Sequence, residues 1–146
     1  MPTVRHNPAA IAVATLVYFF LGAAWFTMFM NPWLAGIGRT MEELKASGAP
    51  PWLGYVVALV MTAILAIALS WIIQGTGPQT AARGATIAAA LWLGFVFTTW
   101  ATEYAFEARG LPILAINTGY PLVGMLLMGL IIGGWKAKAR AAEASA

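Results

Sequence analysis

Cysteine and aspartate are both absent from the 146 residues, histidine occurs once, and charged side chains make up only 9%. Without cysteine there can be no disulfide, zinc thiolate site, iron–sulfur ligation or thiol nucleophile. A lone His6, and acids that are all Glu, leave neither a metal-ligand set nor a nucleophile–histidine–acid triad. No phosphate-binding loop is present either, so no enzymatic activity, metal or other cofactor is expected. The shortage of charge carries furthest. Eight Lys and Arg with five Glu cannot cover the surface of a water-soluble globule of this length. The chain is instead 61% hydrophobic, whereas soluble proteins hold roughly 45–50% apolar and about 25% charged residues. The composition is that of an integral membrane protein.

The charges divide the chain. Between His6 and Arg39 lie 32 residues without a formal charge, between Lys45 and Arg83 lie 37, between Arg83 and Glu103 lie 19, and between Arg109 and Lys136 lie 26. A membrane-crossing helix needs about 20 apolar residues and satisfies its backbone internally, so each gap holds one span. The expected spans are Pro8–Met30, Trp52–Ile73, Ala82–Phe106 and Leu111–Trp135. They form an all-α four-helix bundle of two hairpins, a single transmembrane domain over residues 1–146. Turn residues agree with this division: Asn31-Pro32 ends the first span, Pro50-Pro51 precedes the second, Gly75-Thr76-Gly77-Pro78 follows it, and Arg109-Gly110-Leu111-Pro112 makes a tight final hairpin. Thr40-Met41-Glu42-Glu43 has the form of a capping box and predicts a short interfacial helix over 41–46. A signal peptide is the competing reading of the first apolar run, but that run continues to Met30, longer than a signal core.

With four spans both ends share a side. That side holds Arg5, Arg83, Lys136, Lys138 and Arg140, against Arg39, Lys45 and Arg109 opposite, so both termini and a basic tail over 136–146 are expected in the cytoplasm and the protein in the inner cell membrane. The net charge of +3 then belongs with anionic lipid, and nucleic acid is not an expected partner.

Helices in lipid associate by close backbone approach and polar contact. Gly54, Ala58, Thr62, Ala66 and Ser70 repeat every four residues and lay one row of small side chains along the second span. Gly129 and Gly133 form a GxxxG pair in the fourth. Trp33, Trp52, Trp71, Trp100, Tyr104 and Trp135 fall near span ends, where amphipathic rings anchor at headgroup level.

Polar groups within spans are the candidate functional residues. Thr99, Glu103 and Glu107 share a face of the third span, and Asn117 and Tyr120 share a face of the fourth at similar depth. Arg109 lies between them, and Asn31 reaches the same membrane side. These residues predict a polar cluster on the non-cytoplasmic half, centred on Glu103. It pins the hairpin by hydrogen bonds, forms a cation, proton or polar-ligand site, or contacts lipid headgroups. Pro121 adds a kink and removes the donor for a carbonyl near Asn117. His6 is read as an exposed interfacial residue.

Several of these pieces, in this order, resemble the bacterial membrane family of unknown function DUF1761: Asn7; Gly22 with Trp25 and Phe26; Thr40-Met41-Glu42-Glu43; Trp92-Leu93-Gly94-Phe95; Phe106-Glu107; Asn117 with Gly119-Tyr120; and Met128-Gly129 ahead of Trp135. Phe26 stands where that family usually has Tyr. The resemblance implies a small four-helix membrane protein and supplies no reaction. The function expected on this basis is that of a non-catalytic accessory or scaffold subunit, packing by small-residue faces into a homo-oligomer or a larger membrane complex, respiratory or photosynthetic complexes being candidates. The alternative is a small oligomeric transporter or channel with a polar site around Glu103, Asn117 and Tyr120.

Overall fold

The computed structural model describes residues 5–48 and 50–137. The expected basic tail therefore lies outside the described residues from Lys138 onward, Arg140 included. Among the described residues there is no strand. The helices are α1 (Pro8–Met28), α2 (Met30–Ile37), α3 (Met41–Ala46), α4 (Pro51–Gly75), α5 (Ala81–Leu91), a π-helical segment (Trp92–Phe97), α6 (Thr98–Phe106) and α7 (Leu111–Gly134). Among them α1, α4, the continuous run from α5 to α6, and α7 are long and apolar enough to cross a membrane.

Asn7 starts α1 and also ties the two ends of the chain together. Its Oδ1 accepts from the amides of Ala9 and Ala10, while Nδ2 donates to the carbonyls of Trp135 and Lys136 at 3.3 and 3.2 Å. The first and last described residues thus lie at one end of the bundle. At that end Arg83 holds the α4–α5 turn, donating to the carbonyls of Ile73 and Pro78 and to Thr76 Oγ1.

The first span ends differently from expectation. Phe29 leaves helical geometry, with φ −101° and ψ 20°, and Asn31-Pro32 sit inside the first turn of α2 instead of closing α1. Pro32 is tolerated there because the first amides of a helix have no intrahelical acceptor. α2 stops at Gly38, whose φ of 67° suits a residue without Cβ, and Arg39 N donates back to Leu34 O.

The capping box of α3 is complete: Glu43 N donates to Thr40 Oγ1 at 3.2 Å and Thr40 N to Glu43 Oε2 at 2.8 Å. The Thr40 amide and hydroxyl hold the Glu43 carboxyl below its ordinary value of 4.5. A depressed carboxyl stabilises the helix above the unfolded-state pKa, and that stabilisation disappears as pH falls through the lower folded value. Protection of the α3 amides, relative to their intrinsic exchange at each pH, is therefore expected to fall below about pH 4 while the spans stay protected, and Glu43→Gln is expected to remove that fall.

The closest packing joins α5 to α7. Gly84 and Ala88 on α5 face Gly129 and Gly133 on α7, and all four are buried. A Cβ on Gly129 would lie 2.8 Å from the Gly84 carbonyl carbon and 2.9 Å from Ala88 Cβ, which only two backbones in direct contact produce. The GxxxG pair is thus an internal helix contact. Gln79 reinforces this interface by donating to Ile132 O at 2.6 Å. α1 packs on both α7 and α4, and the core gathers Ala14, Tyr18, Leu69, Ala88, Met125 and Met128.

α4 joins this core through its second half alone. Thr62, Ala66, Leu69, Ser70 and Ile73 are buried, whereas every residue from Trp52 to Met61 is exposed. The small-residue row is consequently split: Thr62, Ala66 and Ser70 lie inside, and Gly54 and Ala58 lie outside, with nothing within 4 Å of a Cβ placed on Gly54.

Candidate functional site

The polar and aromatic groups of the bundle converge on α7 around Pro121. Pro121 has no amide hydrogen, so the carbonyl one turn earlier, that of Asn117, loses its helical donor. The carbonyls on either side of it are engaged from neighbouring helices. Trp25 Nε1 on α1 donates to Ile116 O at 3.1 Å, and Trp92 Nε1 in the π-helical segment donates to Thr118 O at 2.8 Å. Two indoles thus hold the backbone on either side of Asn117 from other helices. Replacing Trp92 with Phe keeps an aromatic ring and deletes the donor together with the five-membered ring that carries it. The expected result is a loss of about 1 kcal/mol of stability, the size of an interhelical hydrogen bond in a bilayer, measured by reversible unfolding in mixed micelles.

Beside Pro121, the Tyr120 ring meets Tyr18 edge-on at 4.9 Å and Phe26 at 5.5 Å. Three glycines admit these rings. A Cβ on Gly22 would come within 2.9 Å of Tyr120 Oη, one on Gly119 within 3.0 Å of Trp25, and one on Gly124 within 2.5 Å of the Tyr18 ring. Phe26 lacks a hydroxyl and contributes an edge-to-face contact here and a second one to Trp33.

A second group clamps the α6–α7 turn. Asn117 Nδ2 donates to Tyr104 Oη at 2.6 Å, and Tyr104 is only 6% exposed. The Arg109 guanidinium lies over the Tyr104 ring at 5.4 Å, donates to Gly36 O at 3.3 Å, and pairs with Glu107. Arg109 so links α2 to the turn, and the exposed ion pair contributes little by itself.

Several of the expected contacts are replaced by others. Glu107 meets Arg109, but Asn117 pairs with Tyr104 and not with Glu103. Tyr120 lies deeper, among Tyr18, Phe26 and Gly22. Asn31 is exposed, and its side chain makes no hydrogen bond among the described residues. Glu103 is also exposed, with no hydrogen bond or ion pair among the described residues, and Thr98, Thr99 and Thr102 are exposed beside it. Tyr104 is buried and does not act as an interfacial anchor, unlike Trp52, Trp71 and Trp135, which are 62%, 63% and 46% exposed. His6 is exposed as expected for an interfacial residue, yet its Nδ1 lies 3.0 Å from Ser70 Oγ.

The site is chemically quiet. Among the described residues no buried side-chain polar atom lacks a partner, no charged side chain is buried, and no three His, Asp or Glu side chains gather as metal ligands. Its contacts hold the part of α7 around Pro121 in place.

The family model described as a protein of unknown function, DUF1761, matches residues 9–133, and the chain belongs to that family. No curated protein and no solved structure matches it. Some of the residues that carry the family resemblance, Gly22, Trp25, Phe26, Trp92, Asn117, Gly119 and Tyr120, lie around this part of α7, whereas Asn7, Thr40, Glu43 and Glu107 do not.

Proposed function

We infer that this membrane protein is a non-catalytic scaffold or accessory subunit of the inner cell membrane, with both termini cytoplasmic, that associates through the outer half of α4 with copies of itself or with other membrane subunits. One observation carries the reading. A row of small residues suited to close helix contact is used by the chain's own helices at Thr62, Ala66 and Ser70, and continues bare at Gly54 and Ala58. Bare small residues gain nothing from lipid, since acyl chains are as apolar as the helix, whereas another helix can approach its backbone closely there. Arg5, Arg83 and Lys136 lie at one end, and with Lys138 and Arg140, which follow in the sequence, that side counts five Lys and Arg against Arg39, Lys45 and Arg109, which supports the cytoplasmic orientation. Purification from native membranes in mild detergent tests the reading. Stoichiometric foreign subunits support an accessory role, a homo-oligomer supports self-assembly, and a lone monomer contradicts both.

Glu103 favours a second reading, an oligomeric transporter or channel. A lipid-facing carboxylate is costly, and one without a partner in its own chain is relieved if copies assemble around it. Glu103→Gln is expected to leave folding unchanged, because no described contact is lost. Abolished ion or solute flux in reconstituted vesicles would support transport by this residue, whereas unchanged behaviour would support the scaffold.

A further inference from the structure

The third span, Ala81–Phe106, is the least buried of the four, 11% against 28%, 28% and 39%. Its last part, α6, bares a polar side made of Thr98, Thr99, Thr102 and Glu103. Each threonine hydroxyl donates within its own helix: Thr98 to Gly94 O at 2.8 Å, Thr99 to Phe95 O at 2.6 Å and Thr102 to Thr98 O at 2.8 Å. With those hydrogens committed, this side offers oxygen acceptors and a carboxylate, and no donor. Gly94, Thr98 and Thr102 also make an exposed row of small residues, and a Cβ on Gly94 would meet nothing within 4 Å.

A matching surface stands on α4 at the same depth. α4 and the third span are joined by the short turn that Arg83 holds and are 25 and 26 residues long, so they reach the opposite side of the membrane together. From that side Gly54 and Ala58 lie about 5 and 11 Å in along α4, and Thr102 and Thr98 about 6 and 12 Å in along the third span. Lys45 stands just ahead of α4, in the last turn of α3. It is exposed and has no hydrogen bond or ion pair among the described residues, and no acid separates it from Gly54 in the sequence. Arg109 ties α2 to the α6–α7 turn, which puts the segment leading to Lys45 on the side where Glu103 lies.

Resting on the assembly reading above, we propose that the outer half of α4 docks on the third span of a second copy, Gly54 and Ala58 meeting the row Gly94, Thr98 and Thr102, and Lys45 reaching Glu103. Charge selects the occupant. The polar side of the third span lacks donors, and the end of α3 supplies an ammonium with three. Pairing the third span with itself would bring two carboxylates together, and pairing the α4 row with itself would bring two Lys45 side chains together and leave Glu103 unpaired. A second copy joined row to row satisfies both charges.

Disulfide trapping in native membranes tests the contact, and the absence of native cysteine keeps it clean. Ala58→Cys and Thr98→Cys, differently tagged and co-expressed, are expected to give a mixed cross-linked dimer at several times the yield of either variant alone. Charge reversal supplies a second measure by analytical ultracentrifugation in detergent. Lys45→Glu and Glu103→Lys are each expected to raise the dissociation constant about fivefold, and the two together to restore it to within about twofold of the wild type. An oligomer with no Ala58–Thr98 adduct, cross-linking of position 58 to itself instead, failure of the double reversal to rescue, or foreign subunits as the sole partners would overturn this docking and leave the assembly reading standing. A monomeric wild type would overturn both.

Discussion

Gly129→Leu is expected to yield no folded bundle. Even the first carbon of a side chain there would lie 2.8 Å from the Gly84 carbonyl carbon, and a Cβ on Gly84 would in turn lie 2.9 Å from the Gly129 carbonyl carbon and 3.1 Å from Gly133 Cα. The obstructing atoms are mostly backbone and cannot move by changing rotamer. Overpacking of a close core costs about 1–3 kcal/mol where side chains can yield. Here α5 and α7 must separate, and their separation gives up the closest contact in the molecule and the Gln79–Ile132 hydrogen bond. Gly129→Ala is expected to fall at or above the top of that range, and Gly129→Leu to leave only aggregate. Size-exclusion chromatography in detergent and near-ultraviolet circular dichroism read the result. A monodisperse Gly129→Leu protein with native-like tryptophan signals would contradict the α5–α7 contact.

Gly54→Leu combined with Ala58→Leu has the opposite pattern, intact folding with lost association. Both positions are exposed, and a Cβ on Gly54 has nothing within 4 Å of it. Leucine is also a better helix former than glycine by nearly 1 kcal/mol, so stability should be unchanged or slightly raised. Two bulky side chains on the bare half of the row would hold a partner helix off the backbone. The dissociation constant of the assembly is expected to rise more than tenfold, about 1.4 kcal/mol or more. Analytical ultracentrifugation in density-matched detergent would show the shift, and Leu130 on α7, 42% exposed, provides a control site whose substitution should change nothing.

The span positions were legible because charge is excluded from hydrocarbon: the gaps between Arg39, Lys45, Arg83, Glu103, Arg109 and Lys136 mark out the stretches that hold the four long helices. The Thr40 cap was legible for a similar reason, since its side chain is one that local backbone amides require, whereas the Asn7 cap was not read from the sequence. Helix rotation was not. Core and lipid are equally apolar, so a span carries little polar contrast to show which face is inside. The row Thr99, Glu103 and Glu107 is a real face of the third span, but it faces outward, and Tyr104, one residue on, is the buried partner of Asn117. The π-helical segment at Trp92–Phe97 adds to the difficulty, because its wider turn shifts the phase of every residue after it relative to α5. No proline or charge in that segment announces the change. The amide missing at Pro121 could be read from the sequence, whereas the indoles of Trp25 and Trp92 that donate on either side of Asn117 come from 91 residues earlier or from a turn of unusual phase.

Photo-cross-linking in native membranes tests most directly whether the outer half of α4 is covered by protein. A photoreactive amino acid placed at Ala58 is expected to give a discrete protein adduct of fixed mass, either with a second copy or with another subunit, while the same residue at Leu130 gives none. Lipid adducts alone at Ala58, or protein adducts of equal yield at both positions, would contradict the proposed assembly surface.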